Sequence, residues 1–500
     1  MRTIFRKGAG AIALLSGAAL AITPAPWTAE QDRADMMRQL GITALNPGPS
    51  GDEKAPNHAN IDEAKANPYP TLPDPLMLKD GRKVADAKTW WDRRRPEILE
   101  DYTREVYGRV PPNLPPVQWR VVATDRETIN FAMPVIARRL IGHIEDPIDP
   151  ARSVDIRAME VLPASAKGPV PVLIMFGFGA SNWPEPSQPT AAEYDRINAA
   201  MKALLVKQDP SLAAVFEAHQ ALTFASPPGF RMPQRDAKGD LPPTEQLIAA
   251  GWGYVALDPT SAQPDNGASL RSGIIGLGNR RNPRRPEDWG ALRAWAWAAS
   301  RTLDYLATDP AVDAHKVGIE GVSRYGKAAL VTMAYDQRFA VGLIGSSGKG
   351  GATLLRRNFG EGVSNLTTGE HYWFAGNFMK YNTKGVSKPG LDANDLPVDS
   401  NELIALAAPR PLFISHGVPE QGDAHWIDQN GSFKAALDGG RVYKLLGGSG
   451  VGNGGPTSMP PPETMVEGTL AWRQHTGGHT DAPNFRYFIP WANQQLGIGR

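Results

Sequence analysis

Residues 315–334 read His315-Lys-Val-Gly-Ile-Glu-Gly-Val-Ser323-Arg-Tyr-Gly-Lys-Ala-Ala-Leu-Val-Thr-Met-Ala334. The first six have the pattern of a strand, and residues 328–334 that of a helix. Between them Gly321 and Gly326 bracket Ser323. A strand that turns sharply into a helix through small residues holds the serine in a strained, exposed pose, beside N–H groups at the helix start. That is the logic of a nucleophile elbow. The spacing here is G-x-S-x-x-G where G-x-S-x-G is common, and the competing role for Ser323 is an ordinary helix N-cap.

Working outward, apolar runs at 170–176, 253–257, 339–344, 411–415 and 470–474 read as further strands. Residues 289–306 read as a helix, because Leu292, Trp295, Ala299, Leu303 and Leu306 fall three or four apart on one face. Alternating strands and helices predict a three-layer α/β domain over residues 116–500, with its chemistry at the carboxyl ends of the strands. Residues 22–115 are polar and rich in proline, with helical pieces at 32–40 and 88–107. They read as an N-terminal extension draped on the main domain. Before them, Arg2, Arg6 and Lys7 precede an apolar run over 9–20 and Ala19-Leu20-Ala21. This is the pattern of a signal peptide over residues 1–21, too short to span a bilayer, and it predicts a periplasmic or secreted protein.

Composition narrows the chemistry. Among 500 residues, 53 Lys and Arg nearly cancel 52 Asp and Glu, so no basic surface invites nucleic acid or membrane. The absence of cysteine removes disulfides, thiolate nucleophiles and cysteine-ligated metals. Gly (51) and Pro (45) make about a fifth of the chain, against roughly 12% in average usage. Much of the protein is therefore loop, where function concentrates.

A serine nucleophile needs a base, and the base an orienting acid, in the chain order Ser, acid, His on this kind of sheet. Of nine histidines, His479 lies in a loop after the last expected strand and before a helical stretch at 484–496. His479 is the expected base and His475 a strand-end residue. Gly477-Gly478 between them disfavours a helix presenting both rings to a metal. The loop after residue 415 supplies three carboxylates, Glu420, Asp423 and Asp428, with Asp423 preferred as the acid.

Gly290-Ala-Leu-Arg-Ala-Trp-Ala-Trp297, Ser300-Arg301, the Ser323-Arg324-x-Gly326-Lys327 elbow and Ser347-Gly-Lys-Gly-Gly351 together resemble the glucuronoyl esterases of carbohydrate esterase family 15. The resemblance implies an α/β-hydrolase that uses no metal or cofactor and cleaves esters of 4-O-methyl-glucuronic acid in glucuronoxylan–lignin linkages. By position, Ser323 resembles the nucleophile, His479 the base, and Arg324 an oxyanion-assisting side chain. Lys327, Glu370 and, more faintly, Glu361 resemble contacts to sugar hydroxyls, and Trp426 resembles an aromatic packed on the sugar. Fungal members carry a catalytic Glu where this chain has Ser346, whereas some bacterial members use an acid near the position of Asp423. Lys349 is either a positive charge for an acidic sugar or a solvated side chain. Arg280, Arg281, Arg284 and Arg285 read as a solvated run. Fold and triad do not select a substrate, so an acetylxylan or general carboxylesterase on the same fold, or a non-catalytic carbohydrate-binding protein, are the competing readings.

Overall fold

In the computed structural model, which describes residues 27–67, 72–129, 133–177, 191–220, 222, 238–452 and 458–499, the strand before Ser323 is the middle of a ten-stranded sheet. The strands are β1 (Gln118–Ile129), β2 (Met133–Ile144), β3 (Val154–Pro163), β4 (Val170–Phe176), β5 (Gly253–Asp258), β6 (Val312–Val322), β7 (Val341–Gly345), β8 (Leu412–Gly417), β9 (Met465–Val466) and β10 (Leu470–His475). Their spatial order is β1-β2-β3-β5-β4-β6-β7-β8-β10-β9. The run from β5 to β10 is parallel, while β1, β2 and β3 extend it as an antiparallel wing. The expected signal peptide lies outside the described residues.

Alternation along the strands builds two cores. Ile319, Ile344, Ile414 and Trp472 point to one face of the sheet and meet α2 (Ala291–Leu306) and α3 (Arg324–Tyr335); their neighbours Leu343, Phe413 and Ala471 point to the other. There they pack on Phe485, Phe488 and Trp491 of the terminal helix α6 (Phe485–Leu496). Helices on both faces of a mostly parallel sheet make the three layers. The predicted stripe on α2 is buried throughout, each of its leucines stabilising the fold by about 1.5–3 kcal/mol through loss of apolar surface. Two more helices, α4 (Ser400–Ala407) and α5 (Gln429–Leu445), join the first of these layers.

The N-terminal segment is anchored at many points. Helix α1 (Ala29–Leu40) starts at a capping box of Thr28 and Gln31 and buries Met36 near Met379. Helical turns over 87–107 place Trp90, Ile98, Tyr102 and Tyr107 in the main core. The arginine run at 280–285 differs from a solvated one. Arg284 is fully buried on Asp32 of α1 at 3.1 Å and on the Phe374 carbonyl at 2.8 Å, and Arg281 pairs with Asp146 at 2.6 Å. Only Arg280 and Arg285 of the four face solvent. Lys349 is likewise neither solvated nor presented to a ligand: it is 1% exposed and donates to the Arg357 carbonyl.

Candidate active site

The carboxyl ends of β6, β7, β8 and β10 converge, and the expected residues stand on the turns that follow them. Ser323 lies between β6 and α3 at φ 60°, ψ −128°, a conformation rarely adopted by a residue with a Cβ and typical of strained functional turns. Its N–H donates to Gly345 O at 2.9 Å, and its carbonyl accepts from Lys327 N at 3.0 Å. Gly321 permits the sharp reversal, since a Cβ there would stand 2.3 Å from the Tyr325 carbonyl oxygen. The first N–H groups of α3 have no preceding carbonyls, and the Arg324 N–H follows Ser323 directly, a geometry able to serve an oxyanion.

His479 Nδ1 is 2.6 Å from Asp423 Oδ1. The other oxygen of Asp423 accepts from Ser346 Oγ at 2.7 Å and from Gly417 N at 2.8 Å, and Oδ1 also accepts from Ala424 N at 2.9 Å. Burial acts to raise the Asp423 pKa, but the hydrogen bonds from His479 and Ser346 and the nearby imidazoles outweigh it and hold the carboxyl below its ordinary value. An ionised acid on Nδ1 leaves Nε2 of His479 for proton transfer. The two loops meet because Gly417 has no side chain: a Cβ would lie 2.2 Å from the Gly478 carbonyl oxygen.

The other two carboxylates of that loop stand elsewhere. Glu420 is exposed. Asp428 is buried on Arg357 at 2.7 Å and caps α5 through Gly431 N at 2.8 Å; burial, opposed by Arg357 and Lys349, pushes it up to about 6. Ser346, at the position of the fungal Glu, supports Asp423 with its hydroxyl. His475 is buried at the end of β10 with Nδ1 accepting from Gly477 N at 3.1 Å.

A second group of residues flanks the elbow. Arg324 Nη1 pairs with Asp265 Oδ2 at 2.5 Å, and its guanidinium carbon lies 5.4 Å from the centre of the Trp373 ring, whose Nε1 donates to Asp265 Oδ1 at 2.7 Å. Lys327, buried one helical turn after Ser323, donates to Ser347 O at 2.7 Å and reaches Glu361 Oε1 at 3.3 Å. Among the described residues the Glu370 carboxyl has no hydrogen-bonding partner, while its backbone carbonyl accepts from Trp373 N at 2.8 Å. Burial and the charge of Glu361 push it up to about 7, against the pull of Lys327 and Arg324. Trp426 is 39% exposed rather than core. With Asp423 and His425 it lines a cavity of about 360 Å³ together with Ser50, Gly51 and Glu53 of the N-terminal segment, Gly51 lying against the Trp426 ring. Asp265 and Trp373, the fixtures of Arg324, have no motif of their own; Asp265 is marked only by its place in a loop beyond the carboxyl end of β5.

A family model described as glucuronyl esterase, fungi, matches residues 284–447. Carbohydrate esterase MZ0003 from an unknown prokaryotic organism is 30% identical over 449 residues, 88% of this chain and 93% of the relative. A CE15 glucuronoyl esterase from Teredinibacter turnerae T7901 has 38% identity and a TM-score of 0.76, covering 94% of this chain and 100% of that structure. The chain belongs to carbohydrate esterase family 15. As a glucuronoyl esterase of that family it is a carboxylic ester hydrolase on an α/β-hydrolase fold. The fungal branch is more distant: the 4-O-methyl-glucuronoyl methylesterase of Podospora anserina is 30% identical over 238 residues, 41% of this family 15 chain and 47% of the fungal one.

Proposed function

We propose that this esterase hydrolyses the ester between glucuronic acid, 4-O-methylated as in glucuronoxylan, and a lignin alcohol, with Ser323, His479 and Asp423 as its triad. The observation that carries the reading is the 2.6 Å contact of His479 Nδ1 with Asp423 Oδ1, at the sheet edge where Ser323 stands at positive φ. Ser323 Oγ attacks the C6 carbonyl of the sugar while His479 Nε2 takes its proton. The tetrahedral oxyanion meets N–H groups at the start of α3 and the guanidinium of Arg324, which Asp265 and Trp373 hold in place. Losing one such donor typically costs about a hundredfold or more in rate. His479 then protonates the alcohol oxygen as its bond to C6 breaks. Water, giving its proton to the same imidazole, attacks the acyl-enzyme and releases glucuronate as Ser323 regains its proton.

Lys327, Glu361 and Glu370 bind the sugar hydroxyls in this reading, and Trp426 packs on the sugar ring. No cofactor enters any step. The signal pattern over 1–21 places the enzyme in the periplasm or outside the cell, where such polymers are met, and residues 116–500 form the catalytic domain with 22–115 as its extension. The test compares methyl or benzyl glucuronate with acetylated xylan. Ester cleavage on glucuronate, abolished by Ser323→Ala, is the expected result; release of acetate with no action on glucuronate esters would assign the site to a xylan deacetylase.

A further inference from the structure

Two carboxyl groups that this chemistry does not use face each other under the site. Glu320 precedes Ser323 by three residues on β6, and Asp481 follows His479 by two. They are 4% and 6% exposed, and their carboxyl groups lie within interaction range of each other. Asp481 Oδ2 is buried, and among the described residues no N–H or hydroxyl donor reaches it. The Asp481 Cβ lies 3.1 Å from where a side chain on Gly345 would begin. The aspartate is thus wedged at the end of β7, against the residue whose carbonyl accepts the Ser323 N–H. Its own carbonyl accepts from Asn484 N at 2.8 Å, ahead of α6.

Among the described residues no Lys or Arg balances the pair. Each group responds only to burial, to the other's carboxyl and, for Asp481, to its own backbone. The register neighbours of Glu320 on β4 and β7 are the apolar Met175 and Leu343. On the loop of Asp481, His479 is taken by Asp423 and His475 by the Gly477 N–H. Two carboxylates in contact, buried and without a cation, cannot both be ionised, and a proton between them satisfies the orphaned Oδ2.

We propose that Glu320 and Asp481 share one proton, Glu320 donating to Asp481 Oδ2, and that this bridge ties the strand under the nucleophile to the loop carrying His479. The two are positioning residues: neither touches the reacting atoms. Burial, and then the charge of Asp481, hold Glu320 well above the ordinary carboxyl range, while the hydrogen bond from Glu320 counters the effect of burial on Asp481. The sign of the pH dependence follows. The folded chain keeps a proton that the unfolded chain releases near the ordinary glutamate value, so the bridge's contribution to stability is full at acid pH and falls as pH rises above that value. Once the proton leaves, two charges repel across the joint between Ser323 and His479.

Three readouts on the full chain test this, the first two independent of substrate. The infrared difference spectrum at neutral pH, wild type minus Glu320→Gln, should contain a protonated-carboxyl carbonyl band. Urea unfolding from about pH 5 to about pH 9 should show stability falling more steeply for the wild type than for Glu320→Gln, whose amide donates to Asp481 with no proton to lose. The third rests on the triad proposed above: Glu320→Ala should lose on the order of tenfold or more in kcat on methyl glucuronate with KM changed less than about twofold, and Glu320→Gln should recover most of that loss. Absence of the band, or superimposable pH–stability curves, overturns the shared proton; unchanged kcat in Glu320→Ala overturns the positioning role. A wild type inactive on glucuronate esters counts against the proposed function, while the band and the unfolding curves still decide the bridge.

Discussion

Asp423 gathers four donors on its two oxygens, from His479, Ser346, Gly417 and Ala424, and the consequence at the scale of single residues is measurable. Asp423→Asn should lower kcat by about 10³–10⁴-fold, because an amide on Nδ1 no longer fixes the imidazole tautomer. Glu420→Gln, at an exposed position, should leave kinetics unchanged in the same assay. Glu370 adds a pH effect. With its carboxyl pushed up to about 7, it is a neutral acid below that pH and a stronger acceptor for a sugar hydroxyl above it. KM should therefore fall as pH rises through about 7, and Glu370→Gln should flatten this dependence when kcat and KM are measured separately. Ser323 and His479 were legible in the sequence because a turn signal and scarcity single them out. The acid was not separable from its neighbours: Glu420, Asp423 and Asp428 share one short loop, and only its folded path decides which carboxylate meets the ring.

At the scale of elements, Asp428 shows what the loop's third carboxylate does. It closes the N-terminus of α5 and neutralises Arg357, and both side chains are fully buried. Asp428→Ala leaves that guanidinium short of a buried partner and should reduce unfolding free energy in urea by about 3–5 kcal/mol. The parallel strands were readable because burial on both faces makes them continuous apolar runs. The wing of β1, β2 and β3 was not. β2 buries Val135 and Ala137 on one face and Leu140 and Ile144 on the other, with Arg138 and Arg139 at the changeover, and Arg138 is taken up by Glu160 of β3 at 2.9 Å and by Asp309. Such strands look like charged loop until their cross-strand partners are known.

At the scale of the whole molecule, α1 is held to a loop far along the chain by one buried ion pair, Asp32 with Arg284, next to His371 and hence to Glu370. Asp32→Ala should lower the melting temperature by several degrees, about what losing a few kcal/mol does in a chain of this size, as calorimetry would register. No local signal in the sequence points across that separation, which is why a run of arginines reads as solvated until the tertiary fold supplies its acids. The same pairing habit governs the catalytic face. Arg324 has Asp265, and Lys327 has Glu361, so the two cations beside Ser323 are each already paired. An ester of glucuronate is itself uncharged, and such a pocket admits it without electrostatic steering; kcat/KM should stay nearly constant as ionic strength is raised, where a steered encounter would slow. Hydrolysis then creates an anion among carboxylates with no unclaimed positive charge from either side chain. Free glucuronate should therefore be a poor inhibitor when added to the methyl glucuronate assay.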